Sequence, residues 1–210
     1  MSSKPNPLAP SDLQQKRSLR TRKRLVKAAM RLFTERGYDA TSTSQIAKRA
    51  GMSAGVFYRY FKDKRDIFRE MYSDHSFSGA KAFMAELDPN KWRNADMLAI
   101  VNSLVETVYS IHQANPRLQD QFTCVELRDS EFLEERERAH ALVQKRLEDL
   151  LEDHSDELHV TNIPVAAYLI KETVEACIHQ SFRSNNRFDE KELKEQLIKM
   201  VLNYLIHSDD

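Results

Sequence analysis

The sequence predicts an all-α protein, with a small N-terminal domain of three helices and a larger C-terminal helical domain. Only 4 glycines and 6 prolines occur among 210 residues, and β-branched residues do not gather in alternating runs, which argues against a sheet. Apolar residues recur instead at the spacing of one helical face. The charge also divides the chain, because residues 1–70 hold 17 Lys and Arg against 6 Asp and Glu.

The zero net charge of the whole chain hides two halves of opposite sign. The basic excess at the N-terminal end suits a polyanion, whereas the acidic remainder does not. The alternative is that basic and acidic helices simply pair with each other. The two cysteines, Cys124 and Cys177, lie far apart in a chain that starts without an apolar signal segment. We therefore expect reduced, buried thiols and a cytoplasmic protein with no membrane association.

The first part of the chain divides into a tail and an amphipathic helix. Residues 1–17 hold three of the six prolines and are predicted to be a disordered basic tail. A helix follows and ends before Gly37. Its inward stripe is Leu25, Ala28, Ala29, Leu32 and Phe33. The N-terminal flank of this helix is basic, consistent with a helix start near phosphates, and carries Arg20, Arg22, Lys23, Arg24 and Lys27.

Two short helices come next. Ser42 and Gln45 have capping-box spacing, which opens a helix that continues through Ala50. Gly51 ends this helix, and Ser53 is placed to cap a third helix that begins near Ala54. Two short helices joined by a tight, Gly-containing turn form the helix-turn-helix layout. In that layout the second helix enters the DNA major groove.

The stretch "GVFYRYFKDK", residues 55–64, places aromatic and basic residues together. At about 100° per residue, Phe57 and Phe61 share the inward side of the third helix. Tyr58 and Arg59 point outward, and Tyr60 lies at the margin. Gly55 has no Cβ and lets the backbone come close to a partner.

The segment "AAMRLFTERGYDATSTSQIAKRAGMSAGVFYRYFKDKRDIF", residues 28–68, resembles the tetracycline-repressor (TetR) family of bacterial transcriptional regulators. It has the motifs F-x-x-x-G-[YF], T-[ST], I-A-x-x-A-G-[VM]-S and G-x-[LF]-Y-x-[YH]-F-x-x-K. The resemblance implies a helix-turn-helix DNA-binding domain over residues 18–66 and a helical ligand-binding and dimerisation domain over 67–210.

The resemblance also implies the DNA-binding residues. These are Thr43, Ser44, Ser53, Ala54, Gly55, Val56, Tyr58, Arg59, Tyr60 and Lys64. Hydroxyl and ammonium groups at helix starts suit phosphate oxygens, and Arg59 could pair with a guanine edge. Ala54 stands where family members carry a polar base-reading residue, so base recognition depends more on Arg59, Ser44 and DNA shape.

The last two predicted helices, at about 164–182 and 190–207, carry apolar residues on two sides. A helix that packs only on its own core needs one apolar stripe. The second side predicts a homodimer, with a two-fold contact through these helices, in agreement with the resemblance. The alternative for residues 164–182 is a centrally buried helix of a monomer.

The resemblance further implies a small, often apolar ligand inside the C-terminal helices. The candidate lining residues are Met84, Met97, Tyr109, Phe122, Tyr168 and Cys177; simple core packing is the alternative for each. We predict no cofactor and no metal, because the histidines lack tight metal-ligand spacing and the carboxylates of residues 152–159 are typical of a solvated helix end.

The sequence therefore favours a homodimeric repressor that a ligand releases from a pseudo-palindromic operator. A ligand-independent regulator or chromosome-organising factor of the same fold is the alternative. An enzyme is disfavoured, because no Ser/His/Asp constellation or Gly-rich phosphate loop occurs. A protein-only adaptor would leave the basic excess of residues 1–70 without a use.

Overall fold

The computed structural model describes residues 10–93, 95–114, 116–183 and 188–206. Within these ranges the chain is α-helical and contains no β-strand, which confirms the predicted fold class. The helices are α1 (Pro10–Arg36), α2 (Thr43–Arg49), α3 (Ala54–Tyr58), α4 (Lys64–Glu86), α5 (Pro89–Trp92), α6 (Met97–Ala114), α7 (Pro116–Glu126), α8 (Ser130–Glu152), α9 (Ile163–Arg183) and α10 (Glu190–Leu205). None of the described helices is both long and apolar enough to cross a membrane.

Helix α1 begins earlier than the sequence predicted. It starts at Pro10, and proline is well tolerated in the first turn of a helix because its missing N–H needs no partner there. Residues 10–17 are therefore helical, and the prediction of a disordered tail was wrong for them. The rest of that tail, residues 1–9, lies outside the described residues.

The described residues up to Ser73 form one compact unit, and those from Asp74 form a second. In the first unit, α1–α3 and the start of α4 close around a common core. The inward stripe predicted for α1 is buried throughout, and so are Phe57 and Phe61. Phe33, Tyr38 and Phe68 form an aromatic cluster with ring centroids 4.8–5.6 Å apart.

The second unit is built mainly on α6, α8, α9 and α10. Its continuous core includes Met97, Ile100, Leu150, Ile178 and Val201. Cys177 is half-buried against this core, whereas Cys124 on α7 is exposed, so the prediction of two buried thiols was wrong for Cys124. Both cysteines are free.

Candidate nucleic-acid interface

The start of α2 is fixed by the predicted capping box. The Ser42 hydroxyl accepts from the Gln45 amide at 3.3 Å, and the Gln45 side chain accepts from the Ser42 amide at 2.8 Å. Ile46 and Ala47 face the core. The remaining side of α2, which carries Ser44, is exposed. The capping box thus sets the direction in which the first turn of α2 projects.

The turn between α2 and α3 depends on Gly51 and Arg24. Gly51 adopts φ +69°, a left-handed conformation that ends α2. The Arg24 guanidinium donates to the Ala50 carbonyl at 2.7 Å, which satisfies an acceptor that the end of a helix leaves without an intrahelical partner. Helix α1 therefore holds the turn from outside the helix-turn-helix itself.

Thr43 and Tyr58 connect the two helices on their exposed side. Their hydroxyl oxygens lie 3.0 Å apart, and either can donate. Tyr58 is 57% exposed, and Thr43 is half-buried. The structure thus brings together two residues that lie 15 positions apart and that the resemblance assigned to DNA. Sequence angles alone did not predict this bond.

The first turn of α3 presents small groups to the outside. Ser53, Ala54 and Gly55 are exposed, and Val56 is half-buried. Ser53 occupies the N-cap position, but its hydroxyl makes no capping bond, contrary to the prediction. Beyond the last turn, Arg59 is exposed as predicted.

Tyr60 turns back toward α1. Its phenol hydrogen-bonds to the hydroxyls of Ser18 and, more weakly, Thr21, which lowers the pKa of Tyr60 below its usual value. Its backbone carbonyl accepts from Arg22 at 3.4 Å. Tyr60 is half-buried, and its partners on α1 lie just after the predicted tail of residues 1–17.

Lys64 lies at the first position of α4 and is held by Tyr38. Its ammonium donates to the Tyr38 carbonyl at 2.7 Å and lies 4.2 Å from the centroid of the Tyr38 ring. Partial burial lowers the pKa of Lys64 from its ordinary value. Of its three N–H donors, one is used at short distance, and a longer contact reaches the Asp39 carbonyl at 3.4 Å.

The two glutamates of this unit are each paired with an arginine. Glu70 accepts from Arg22 at 2.6 Å, and Glu35 accepts from Arg49 at 2.9 Å. Hydrogen bonding from Arg49 lowers the pKa of Glu35. Since the unit holds only 6 acidic residues against 17 Lys and Arg, this pairing leaves a large basic excess on its surface.

The structure separates the six candidate ligand-lining residues. Met97 and Tyr109 are buried in the core of the second unit, with Cys177 at its margin. Phe122 is buried outside that core, beside His75, with ring centroids 5.0 Å apart. Met84 is half-buried, and Tyr168 is 54% exposed. Tyr168 thus does not lie with the buried candidates.

The sequence reasoning missed Tyr38, Arg22 and Arg24 as residues that position the interface. Tyr38 is the aromatic residue of the quoted F-x-x-x-G-[YF] motif, so a signal for it was present. Arg22 and Arg24 were grouped with the basic flank of α1, and no local pattern distinguishes them from their basic neighbours. Among the described residues, no group of three or more His, Cys, Asp or Glu side chains is arranged to hold a metal ion.

Comparison with known proteins accounts for both units. Residues 25–71 match the model of the bacterial regulatory proteins of the tetR family. Residues 96–205 match the C-terminal domain of tetracyclin repressor-like proteins, which covers more than half of the chain. The chain belongs to the TetR family. It is thus a transcriptional regulator of the helix-turn-helix type, and the resemblance found in residues 28–68 is confirmed.

Curated relatives of this TetR-family chain are similar mainly at the N-terminal end. The regulator AcrR of Shigella flexneri is 44% identical over 52 residues, which are 25% of this chain and 24% of AcrR. The uncharacterized regulator YdgC of Bacillus subtilis is 36% identical over 93 residues, 44% of this chain and 48% of YdgC. The matches therefore span about a quarter to a half of these relatives.

Solved structures share the fold of most of this TetR-family chain at low identity. FadR from Bacillus subtilis, in complex with stearoyl-CoA, superposes with a TM-score of 0.67 at 19% identity, over 87% of this chain and 98% of FadR. SmeT, the repressor of a Stenotrophomonas maltophilia multidrug efflux pump, gives 0.67 at 21% identity, over 90% and 91% of the two chains.

Proposed function

We propose that this TetR-family protein is a cytoplasmic homodimeric repressor that binds a pseudo-palindromic operator and leaves it when a small, largely apolar ligand binds. The observation that carries the proposal is the exposed surface formed by α2 and α3, where Thr43 and Tyr58 are joined and Arg59 is free to project. Hydroxyls at the start of one helix suit phosphates, and an exposed arginine near a recognition helix suits a guanine edge.

The proposed DNA contacts divide into two kinds. Arg59 reads a base, together with apolar contact from Ala54 and close approach at Gly55, all of which are exposed. Thr43, Ser44, Ser53, Tyr58, Tyr60 and Lys64 hold the backbone, and Val56 supports the first turn of α3. The Lys64 ammonium keeps a fixed position on Tyr38 and directs its remaining donor to a phosphate.

The dimer is proposed from the exposed apolar residues of α9 and α10. Both helices bury one side, including Ala166, Val174, Leu197 and Val201. Each also exposes large apolar side chains between 42% and 54%, namely Val165, Tyr168, Leu169, Met200 and Tyr204. A second copy of the chain is the simplest cover for such a face. Two-fold symmetry would then place two α3 helices on two half-sites.

The ligand is proposed to enter among the buried residues of the second unit, with Met97, Tyr109 and Cys177 as its first contacts. Their apolar environment favours an apolar ligand. FadR of Bacillus subtilis has been crystallised with stearoyl-CoA, and a long acyl chain is one ligand of this class. A ligand-independent regulator of the same fold is the competing proposal, and the two differ in whether any small molecule releases the DNA.

The decisive experiment selects DNA bound by the purified protein from fragmented genomic DNA, then measures affinity for the recovered sequence. Arg59→Ala should reduce the preference for that sequence over unrelated DNA by about 1–3 kcal/mol, since a bidentate base contact is lost. Lys64→Ala should weaken binding to the recovered sequence and to unrelated DNA alike. It should also reduce the magnitude of the slope of log affinity against log salt by about 0.9.

Two results of this experiment would count against the proposal. If the wild-type protein recovers no sequence above background, it is not a sequence-specific DNA-binding protein. If it does recover a sequence, but both variants bind that sequence as the wild-type protein does, the residue assignments are wrong. Acyl-CoA thioesters and free fatty acids added to the complex then test release by a ligand of the proposed class.

A further inference from the structure

We propose that Arg17 and Arg20 of α1 bind DNA phosphates beside the operator segment that α3 contacts, and so extend the interface beyond the helix-turn-helix. This inference rests on the proposed DNA binding. Both arginines precede residue 25, where the match to the TetR-family model begins. Arg17 is the last residue of the predicted disordered tail, and Arg20 belongs to the basic flank that the sequence predicts near phosphates.

The middle of α1 is held on the DNA-binding unit by two arginines. The Arg22 guanidinium bonds Glu70 at 2.6 Å, lies 4.6 Å from the centroid of the Phe61 ring, and reaches the Tyr60 carbonyl at 3.4 Å. Two residues further along α1, Arg24 reaches the Ala50 carbonyl at 2.7 Å. Residues near Arg22 therefore have a fixed position relative to both α2 and α3.

These contacts divide the basic residues of α1 into two groups. The guanidinium groups of Arg22 and Arg24 are already bound to acceptors of the protein, as described. Arg17 and Arg20 are exposed and have no ion-pair partner among the residues whose side chains the structure describes. A cation that holds the fold is not available to a phosphate, whereas these two arginines are.

Arg17 lies close to a residue that we propose to contact the DNA backbone. Tyr60, proposed to touch the DNA backbone, contacts Ser18 and Thr21. Thr21 is one turn from Arg17 on the same face, and its hydroxyl donates to the Arg17 carbonyl at 3.0 Å. Arg20 is three residues from Arg17 and four from Arg24, so the three arginines lie along one side of α1.

Phosphates are the groups that these arginines fit. A guanidinium binds a phosphate oxygen pair through parallel N–H donors. No acidic residue occurs on α1 between Asp12 and Glu35, so no carboxylate within residues 13–34 repels a polyanion. A contact made from outside the recognition helix adds affinity without base information.

The test compares two variants of the full-length protein on the selected operator. Arg17→Gln/Arg20→Gln removes the proposed contacts. Arg146→Gln is the control, because Arg146 is an exposed arginine of α8 in the second unit, outside the proposed DNA-binding surface. Affinity is measured from 50 to 200 mM salt, and interference by phosphate ethylation identifies the contacted phosphates.

We expect the double arginine variant to lower the salt slope by about 0.9 for each lost contact and the affinity by about fivefold per contact near 0.15 M salt. Interference should vanish at phosphates flanking the α3 contacts while the preferred sequence stays the same. The Arg146→Gln protein should keep the wild-type slope within about 0.3.

Three outcomes would overturn a part of this account, and they can be told apart. If the wild-type protein selects no operator, the proposed function itself fails. If the operator is selected but Arg17→Gln/Arg20→Gln changes the salt slope no more than Arg146→Gln does, only the role of these arginines fails. If the preferred sequence changes in the double variant, the arginines read bases rather than phosphates. Thermal unfolding of each variant verifies that the fold is retained.

Discussion

The hydroxyl oxygens of Thr43 and Tyr58 lie 3.0 Å apart and join the start of α2 to the last residue of α3. Two hydroxyls carry two protons, and one of these is used between them. The pair therefore keeps one O–H for an outside acceptor, whichever residue donates. On the proposed DNA-binding surface, that acceptor is a phosphate oxygen.

This hydrogen bond predicts that removing both hydroxyls weakens operator binding by more than the two single substitutions combined. Thr43→Val leaves the Tyr58 O–H for the phosphate, and Tyr58→Phe leaves that of Thr43, so each single variant should lose only positioning, about threefold in operator affinity. The double variant loses every donor and should lose about tenfold or more, beyond the product of the single losses. Titrations against the selected operator measure this. A double variant no weaker than the single variants would show that the pair does not touch phosphate.

Gly51 and Gly55 should respond to alanine in opposite ways. At Gly51, φ is +69° and a Cβ would lie 3.3 Å from the Arg24 guanidinium, so Gly51→Ala should lower the free energy of unfolding by about 1–2 kcal/mol. At Gly55, a Cβ would meet only the Ser53 hydroxyl oxygen at 3.9 Å, so Gly55→Ala should leave the stability unchanged or raise it by up to about 1 kcal/mol.

Operator affinity tests whether the backbone at Gly55 comes close to the DNA. The Gly55→Ala protein should bind the operator more weakly, because the new methyl group keeps the start of α3 away from the groove. Urea unfolding and DNA titration of both variants are the measurements. A Gly55→Ala protein with wild-type affinity would remove the close approach of the backbone that we assign to this position.

Local patterns in the sequence were sufficient to predict much of the DNA-binding unit. The capping box of Ser42 and Gln45 acts over three residues, and the burial of Phe57 and Phe61 follows from helical periodicity. Both effects depend on neighbours in the chain, which the sequence displays directly. Helical periodicity likewise predicted the two apolar sides of α9 and α10.

Contacts between distant residues could not be predicted in this way. Lys64 and Tyr38 are 26 positions apart, as are Arg24 and Ala50. Composition predicted disorder through residue 17, but the nearby bond between Arg22 and Glu70 spans 48 positions and fixes α1 on the unit. Tyr168 was chosen for its residue type, whereas its exposure depends on which side of α9 meets α8.

The apolar face of α9 predicts how the oligomeric state responds to charge. Leu169 is 45% exposed and lies beside Val165 and Tyr168 on the face proposed to meet a second copy. Leu169→Glu would place an unpaired carboxylate in that interface twice by symmetry, at a cost of several kcal/mol. We expect this variant to be a monomer in light scattering at micromolar concentration, and the wild-type protein to be a dimer there.

Leu142→Glu is the matched control for that experiment. Leu142 on α8 is 53% exposed, so the two substitutions make a similar change in charge at similarly exposed leucines. The Leu142→Glu protein should stay dimeric. A wild-type protein of monomer mass would refute the proposed dimer, and loss of dimer in both variants would mean that α9 is not its specific site.

His112 predicts how the stability of the protein depends on pH. It is buried on α6, and its Nδ1 lies 2.9 Å from the Val108 carbonyl oxygen. A carbonyl only accepts, so Nδ1 carries the proton. No partner for Nε2 occurs among the described residues.

Burial lowers the pKa of His112 below 6.5, with the Val108 bond and Glu175 opposing this and His179 and His75 adding to it. As the pH falls, His112 of the unfolded chain therefore takes up a proton near pH 6.5, whereas His112 of the folded protein stays neutral until a lower pH. The stability contribution is therefore present above about pH 6.5 and is lost as the pH falls through the lowered folded pKa.

His112→Asn tests this directly, because the asparagine amide can donate to the Val108 carbonyl but does not titrate in this range. Urea unfolding between pH 5 and 8 should show a decrease in stability toward acid that is steeper in the wild-type protein, by up to about 1.4 kcal/mol per pH unit. The comparison uses the difference in slope, so any loss of packing in the variant, which does not depend on pH, cancels. Equal slopes in the two proteins would mean that His112 takes up its proton as readily in the folded state as in the unfolded chain.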